Sequence, residues 1–597
     1  MKRIISTETK QKIGEKVEVR GWVNSIRLLG KIGFLVLRDR GGNIQVVLES
    51  VDQITKIKSL QPGSIVTVVG VVSESNQTDL GVEIINSEIE VVSAVNDPLP
   101  VEYNKRELNA DIDTILDYRP LTLRNEKIRA VFKIQATMVG AYREYLTKNG
   151  FTEFFGPNII SASSEGGTEL FTVNYFDEEV KLSQSAQLYK QMMVGVYERV
   201  FALMKCFRAE KSNTRRHLTE ATQFEFEMGF IDSVDDVMDM LESTVKFIVK
   251  KVTEVNSTEL KALGKEIVLA PENIKFPRIT FKEALQLYFD RTGKDERHEI
   301  DLSPDAEREL CKYAHEEFGT DFIFVTQFLR KKTAFYAHPN EDNPEVTNYF
   351  DLLCREAEIC SGGQRIHEHD MLEESLRLKG LNPDDFRDYL AIFKYGMPKH
   401  GGFGMGMERL TMLMLGLENI REATLFPSDT KRVASVGLKR KKISGDVLSK
   451  RIKSILEEKG IQFEYHKHEP VRTSEEAAAV RGTKLEEGIK ALILRGNKSG
   501  KNIMYCLPAT EKIDMNKLKA LEGESFEFEK PDVILEKYGI EVGGVPPFGF
   551  LFGLKTYYSK AIKEKMSNFN SGTRTESISL KTSDLLDLVG SEVLLVD

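Results

Sequence analysis

Residues 207–230 read FRAEKSNTRRHLTEATQFEFEMGF. Arg208 and Glu210 stand two apart, and a basic cluster holding Arg215, Arg216 and His217 follows. Apolar and polar residues then alternate through Gln223, Phe224, Glu225, Phe226 and Glu227. Alternation on both sides of a polar turn predicts an antiparallel hairpin with a long loop. Side chains two apart on a strand share a face, so Arg208 and Glu210 point the same way. A guanidinium fork suits phosphate oxygens, and the charge on the loop suits more phosphate. The same residues also describe a solvated hairpin with a basic tip.

A second stretch, HGGFGMGMERLTMLMLGLENIREATLF at 400–426, spaces glycines at 402, 404 and 406. One side of that strand is nearly bare, so a flat ligand can approach its backbone. The helix predicted from Met407 carries Arg409 in its first turn, where the helix dipole and the side chain both favour phosphate. Without a ligand, the pattern is a helix packed on a glycine-rich strand. In YFDLLCREAEICSGGQR, Glu358 precedes Ser361 by three residues and Arg365 follows. Carboxylate and hydroxyl are hard oxygen ligands suited to Mg²⁺, which keeps its waters and leans on nucleotide phosphates. Glu165 and Glu169 bracket a Gly-Gly turn, where a carboxylate can receive a substrate ammonium group or simply serve the turn. Gln187 and Lys190 fall at a strand-to-helix junction, and the lysine is a compact charge fit for a carboxylate.

The hairpin and the glycine strand together resemble motifs 2 and 3 of class II aminoacyl-tRNA synthetases, most closely the aspartyl, asparaginyl and lysyl branch. The EICSGGQR segment resembles the archaeal-type aspartyl enzymes. The resemblance implies an aspartate–tRNA ligase that activates L-aspartate with ATP and transfers it to tRNA(Asp), with tRNA(Asn) left open. It implies that Arg208 and Arg409 are catalytic, with Arg208 on the α-phosphate and His217 and Arg409 near the γ-phosphate. Glu210, Arg216 and Glu358 join the ATP site, Glu358 and Ser361 hold Mg²⁺, and Glu169, Gln187, Lys190 and Arg365 bind aspartate. The chain departs from the family at Ala186, where a proline is usual, and at Ala221, where an aromatic usually stacks adenine. AEKSNTRRHLTE and Glu225 look more like the asparaginyl enzyme, which is the alternative. Lys190 favours aspartate, because a buried lysine facing a neutral amide lacks its counter-charge. A non-charging paralogue that binds RNA or makes asparagine is the other alternative, and the intact Arg208, Glu358, Ser361 and Arg409 argue against it.

The elements that must position these groups suggest a multidomain α+β chain. Residues 1–98 hold five short alternating segments, which suit an OB-fold barrel. Phe34 there could stack a base and Gln45 read its edge, or Phe34 could be core. Trp22 is expected in the core. The barrel resembles the anticodon-binding domain of aspartyl-tRNA synthetases, which adds Arg27 to the tRNA contacts. Residues 99–127, rich in proline and charge, read as a hinge. Residues 128–438 form the catalytic domain, an antiparallel sheet by resemblance. Its opening helix and FTEFFGPNII resemble motif 1, the homodimer seam. Helices opened by Ser233 and by Ser303-Pro304 read as insertions without chemistry.

Residues 439–597 restart with mixed helices and strands, an α/β domain that resembles YbaK-type aminoacyl-tRNA editing domains. Lys490 is expected to steady the tRNA end, or to be an exposed strand-edge lysine. The loop GGVPPFGF, with Gly544 and Pro546, is expected to shape an alanine- or serine-sized pocket and to offer backbone N–H groups.

With 597 residues, and roughly 100–200 per domain, three to five domains are expected. A net charge of −9 means that any RNA contact relies on local basic patches. Five cysteines without a CxxC pair read as reduced thiols, supporting neither a zinc site nor a disulfide framework. MKRIISTETKQ lacks a signal-peptide core, and no apolar run is long enough to span a bilayer. A cytoplasmic protein is expected.

Overall fold

A computed structural model of the chain describes residues 2–105, 107–161, 170–210, 214–430, 432, 445–471, 473–590 and 594–596. The chain divides into two compact units, Met1–Gly437 and Leu438–Asp597.

The first unit opens with strands Lys16–Leu29, Ile32–Arg38, Asn43–Leu48, Ile65–Glu74 and Val82–Ser93. The first of these pairs antiparallel with both the second and the fourth, which closes the sheet into a barrel. Val19, Val23, Leu35, Leu37, Val46 and Val68 fill its interior. Their alternate neighbours must therefore face outward. Trp22 lies between the inward Gly21 and Val23 and is only half-buried, with the Arg38 guanidinium 4.8 Å over its ring. The expectation that it sits in the core is wrong, and the strand's own alternation gives the reason.

Residues 99–127 are anchored rather than loose. Short helices Ile112–Asp117 and Arg119–Thr122 form there. Buried Arg119 donates to the carbonyls of Leu425 (2.8 Å) and Thr424 (2.6 Å). Asn125 then caps the long helix Glu126–Lys148, accepting from the N–H groups of Lys127 and Ile128.

Eight strands form the central sheet, in the spatial order Arg278–Thr280, Phe322–Thr326, Tyr349–Cys354, Ala357–Arg365, His400–Gly406, Glu220–Gly229, Arg199–Phe207 and Thr152–Glu153. The six inner strands pair antiparallel throughout. Phe224, Phe226, Phe403, Met405 and Phe350 point to one face, onto the helices Glu126–Lys148, Val234–Val255 and Met407–Leu415. This core leaves the opposite face of the same strands to carry polar groups. Ser233 caps its helix in a capping box with Asp236, and Ser303 caps the helix Pro304–Phe318, as the sequence predicts.

The second unit has a five-stranded mixed sheet and a three-stranded antiparallel one. Helices Gly445–Glu458, Ser474–Arg481 and Thr582–Val589 accompany them. Leu456, Cys506, Tyr558, Ile578 and Leu580 form a core of its own.

Candidate active site

The polar face of the central sheet is set by register. Gln223, Glu225 and Glu227 stand opposite Gly406, Gly404 and Gly402. Across the glycine strand lie Ser361 at Gly404, Gly363 at Gly402 and Arg365 at His400. A cavity of about 400 Å³ opens over this face, and its walls include Arg208, Arg409, Glu358, Ser361, Lys190 and Arg365. Gly404 and Gly406 border it, whereas the bare side of Gly402 is filled from across the sheet. A Cβ there would lie 2.3 Å from Glu227 Oε2. The open backbone expected along all three glycines is thus confined to two.

One end of the cavity carries the groups expected to meet phosphate. Strands Arg199–Phe207 and Glu220–Gly229 form the predicted hairpin, and the Arg208 N–H extends the ladder to the Thr219 carbonyl at 3.0 Å. Arg208 Nη1 lies 3.7 Å from Glu210 Oε1, so the two share a face. Arg409, in the first turn of its helix, donates from Nη1 to the Glu358 carbonyl at 2.9 Å. Burial pushes His217 below its ordinary value, and the guanidinium groups of Arg409, Arg208 and Arg216 add to this against Glu210. A neutral imidazole at this end can donate or accept. Arg216 donates to Glu307 Oε2 and to the Glu356 carbonyl, both at 3.1 Å. Glu307 belongs to the helix Pro304–Phe318, read from sequence as an insertion without chemistry. That helix instead holds a loop arginine in place.

Ser361 Oγ donates to Glu358 Oε1 at 2.8 Å. Asp351, opposite Ser361 on the next strand, is buried, and its Oδ1 has no hydrogen-bond partner. Burial and the neighbouring Glu358 push its carboxyl well up. Sequence reasoning missed Asp351, which sits in an otherwise apolar strand, YFDLLC.

At the other end, Lys190 is almost wholly buried. Its Nζ lies 2.7 Å from Glu225 Oε2 and 3.3 Å from Glu227 Oε2, and donates to the Phe403 carbonyl at 2.8 Å. Two carboxylates already neutralise it, so the argument that Lys190 demands a substrate carboxylate does not hold. Buried Arg365 donates from Nε to Glu227 Oε1 (2.9 Å) and from Nη2 to the Gly402 carbonyl (2.8 Å). Burial works against the Glu227 charge, but Arg365 and Lys190 hold its carboxyl below the usual range. Gln187 is buried against Gln191, and Ser185 Oγ donates to Glu225 Oε1 at 3.1 Å. Glu165 and Glu169 lie outside the described residues. The Gln-Phe-Glu-Phe-Glu alternation was the available signal for the carboxylate row, because a central strand with Phe on one face must turn its acids to the other.

On the barrel, Arg27 is paired with Phe34 across the sheet, and Val36 with Gln45. Phe34 is half-buried on the outer face and is not part of the barrel interior. Gln45 Nε2 donates to Glu83 Oε2 at 2.8 Å. Arg27, Phe34 and Gln45 therefore share one outer surface.

In the second unit a cavity of about 200 Å³ is bordered by Lys490, Arg481, Gly543, Asn568 and Asn570. Lys490 is half-buried near the start of the strand Ile489–Gly496, where it is paired with Leu507, and donates to the carbonyls of Ala509 (3.1 Å) and Glu511. The loop supplies Gly543 and Val545 to the cavity wall, next to Val542, whereas Gly544 and Pro546 do not line it. The Gly544 N–H donates to the Glu541 carbonyl at 2.9 Å. Its expected role as an open donor is taken by the turn itself.

A phosphate-ready hairpin and a glycine strand leading into an arginine-bearing helix, joined on one antiparallel sheet, define a class II synthetase body. Residues 111–430 match the model of tRNA synthetases class II (D, K and N), and the chain belongs to that family. Residues 17–92 match the OB-fold nucleic acid binding domain, and residues 468–588 match the aminoacyl-tRNA editing domain. Aspartate–tRNA(Asp/Asn) ligase of Thermus thermophilus is 43% identical over 431 residues, 72% of this chain and 99% of that protein. Aspartate–tRNA(Asp) ligase of Pyrococcus abyssi is 43% identical over 430 residues, 71% of this chain and 97% of that protein. Among solved structures, asparaginyl-tRNA synthetase from Pyrococcus horikoshii complexed with asparaginyl-adenylate has a TM-score of 0.68. It is 33% identical, covering 73% of this chain and all of that one (100%). Aspartyl-tRNA synthetase from Entamoeba histolytica gives 0.65 at 30% identity, covering 73% of this chain and 93% of that one.

Proposed function

We propose that the chain is an aspartate–tRNA ligase, joining L-aspartate to ATP as an aspartyl-adenylate and passing it to tRNA. The observation that carries this reading is the single cavity with Arg208 and Arg409 at one end and Arg365 with Lys190 at the other. An adenylate needs both ends at once: cations for phosphate and a built pocket for the amino acid. Relatives named for aspartate, at 43% identity over nearly their whole length, support the choice of amino acid.

Arg208 steadies the α-phosphate while the aspartate α-carboxylate attacks it in line and pyrophosphate leaves. Catalysis here is positioning plus stabilisation of negative charge that develops on the phosphorus oxygens. Arg409, His217 and Arg216 hold the departing pyrophosphate, with Glu210 beside them. Arg365 has Nη1 available for the aspartate side chain, while Glu227 and the Gly402 carbonyl fix the fork's angle. Lys190 orders Glu225 and Glu227 and so shapes the pocket, and Gln187 buttresses it. Glu358, Ser361 and Asp351 fit Mg²⁺, since hard oxygens cluster there and Asp351 Oδ1 is orphaned in burial. That ion, when bound, neutralises phosphate charge.

The outer barrel face with Arg27, Phe34 and Gln45 reads the anticodon of tRNA(Asp), and tRNA(Asn) as well if reading is relaxed. Phe155, 84% exposed, and Ile159, 48% exposed, lie in the segment that resembles motif 1 and suit a homodimer seam. Five buried free thiols suit a cytoplasmic protein, and no described helix is long and apolar enough to cross a membrane. The second unit hydrolyses mischarged aminoacyl-tRNA.

ATP–pyrophosphate exchange with aspartate and with asparagine tests the main reading. Exchange should depend on aspartate, and Arg208→Ala and Arg409→Ala should each reduce it at least about a hundredfold. Exchange driven by asparagine alone would transfer the assignment to the asparaginyl enzyme, for which the neutralised Lys190 is no obstacle.

A further inference from the structure

The cavity of the second unit is cationic in a way that its expected alanine- or serine-sized substrate does not explain. Arg481 and Lys490 both border it, and among the described residues no Asp or Glu does. Among the described residues, neither cation has a carboxylate within ion-pair distance. Arg481, the last residue of the helix Ser474–Arg481, is fixed in place by neutral groups. Its Nε donates to Ser577 Oγ at 2.9 Å, and its Nη2 donates to Asn570 Oδ1 at 2.7 Å. Ser577 is fully buried and Arg481 itself half-buried, so the Nε side of the guanidinium is turned inward. Asn570 is itself pinned, with Nδ2 on the Gly543 carbonyl and Oδ1 also accepting from Ser577. Nη1 is left for a ligand.

Burial alone pulls Arg481 down to about 10, with no acid to offset it. A cation desolvated without a counter-ion is costly, and natural sites keep one where a ligand supplies the missing charge. A second unmet demand lies in the same wall. Asn568 is buried and borders the cavity, and its Oδ1 has no hydrogen-bond partner, because Nδ2 is turned to Glu487. That oxygen can only accept. The ligand must therefore bring an oxyanion for Arg481 and a donor, such as an ammonium group, for Asn568.

We propose that this cavity binds acidic aminoacyl esters, with Arg481 holding the side-chain carboxylate of an aspartyl or glutamyl group and Asn568 Oδ1 its α-ammonium, so that the unit clears an acidic amino acid from a tRNA other than tRNA(Asp). The proposal rests on the deacylase reading of this unit and deepens it. Water adds to the ester carbonyl carbon, the bond to the ribose oxygen breaks, and that oxygen takes one proton of the water while the other is released to solvent. The amino acid leaves with a new carboxylate. A volume of about 200 Å³ has room for an amino acid.

Deacylation by the full chain without ATP tests this, with aspartyl, glutamyl, alanyl and seryl esters on one transcript of a tRNA other than tRNA(Asp). The two acidic esters should be cleaved fastest. In Arg481→Gln the ratio of acidic to alanyl cleavage should fall at least about tenfold, and Arg481→Lys should restore part of it. Equal slowing of all four esters in Arg481→Gln would mean that Arg481 grips a tRNA phosphate, which overturns the assignment. A preference of the unmodified chain for alanyl or seryl esters also overturns it while leaving the deacylase reading intact, and this arm does not depend on any variant folding. Cleavage of none of the four would remove the deacylase reading itself.

Discussion

Lys190, Glu225 and Glu227 form a buried group in which each charge depends on the others, and Arg365 balances it to neutrality. Removing the lysine strands Glu225 away from water and leaves Glu227 to Arg365 alone. Lys190→Ala should therefore lower stability by about 3–5 kcal/mol as well as abolish exchange. Combining it with Glu225→Gln should recover part of that loss. Calorimetry of the full-length variants measures both, and an unchanged melting transition in Lys190→Ala would rule out this interdependence. His400 makes a second residue-scale prediction. Its Nδ1–H donates to the Pro398 carbonyl at 2.9 Å, and its Nε2 faces Gln191 Nε2 at 3.0 Å. Gln191 Oε1 already accepts from Tyr389 and Gln187, so its amide nitrogen must donate to the imidazole. A proton on Nε2 would meet that donor. Burial, helped by the nearby Arg365 and His367, holds His400 down to about 4 against the pull of Glu227 and the Pro398 carbonyl. The unfolded chain binds this proton first, so the contribution is complete above about pH 6.5 and is lost as pH falls towards 4. It amounts to something on the order of 3 kcal/mol. His400→Gln should flatten the stability profile between those limits, and a slope equal to the parent's would contradict it.

At the scale of elements, the glycine strand is under two different demands. A Cβ on Gly402 would lie 2.1 Å from the Phe226 carbonyl oxygen, a backbone atom that cannot swing aside. On Gly404 the nearest atom would be Glu225 Oε2 at 3.2 Å, inside the cavity. Gly402→Ala should therefore disrupt the sheet and fail to accumulate as folded protein. Gly404→Ala should fold but raise the KM for the amino acid, since the methyl intrudes on Glu225 and on the space beside it. Comparison of soluble yield and exchange kinetics separates the two. Equal behaviour of both variants would mean that the strand tolerates side chains uniformly and that its glycines serve only the ligand.

For the whole molecule, the proposed function divides the chemistry between the barrel, which holds Phe34, and the sheet, which holds Arg208. Phe34→Ala should lower tRNA charging, measured as kcat/KM for tRNA, by about tenfold or more, the worth of one stacked base. ATP–pyrophosphate exchange needs no anticodon and should be unaltered. Loss of exchange in this variant would show that the barrel supports the sheet structurally. Arg119 makes such coupling concrete, because it ties the segment after the barrel to three carbonyls of the catalytic body.

Much was determined by sequence alone, because the physics involved is local. Alternation sets which side of a strand is buried, so the hairpin, the glycine strand and the barrel strands could be read from it. So could the helix that opens with Arg409. Even Trp22 was legible, since its place between Gly21 and Val23 turns it outward. What only the tertiary structure decided concerns charge. Whether Lys190 needs a substrate anion depends on Glu225 and Glu227, more than thirty positions away, and on a register that places them opposite glycines. The partnerless Oδ1 of Asp351, the arginine held by an inserted helix and Arg481 with no described carboxylate in reach are likewise products of strands and helices meeting. Coulomb interactions act between groups brought close in space and are indifferent to their spacing along the chain.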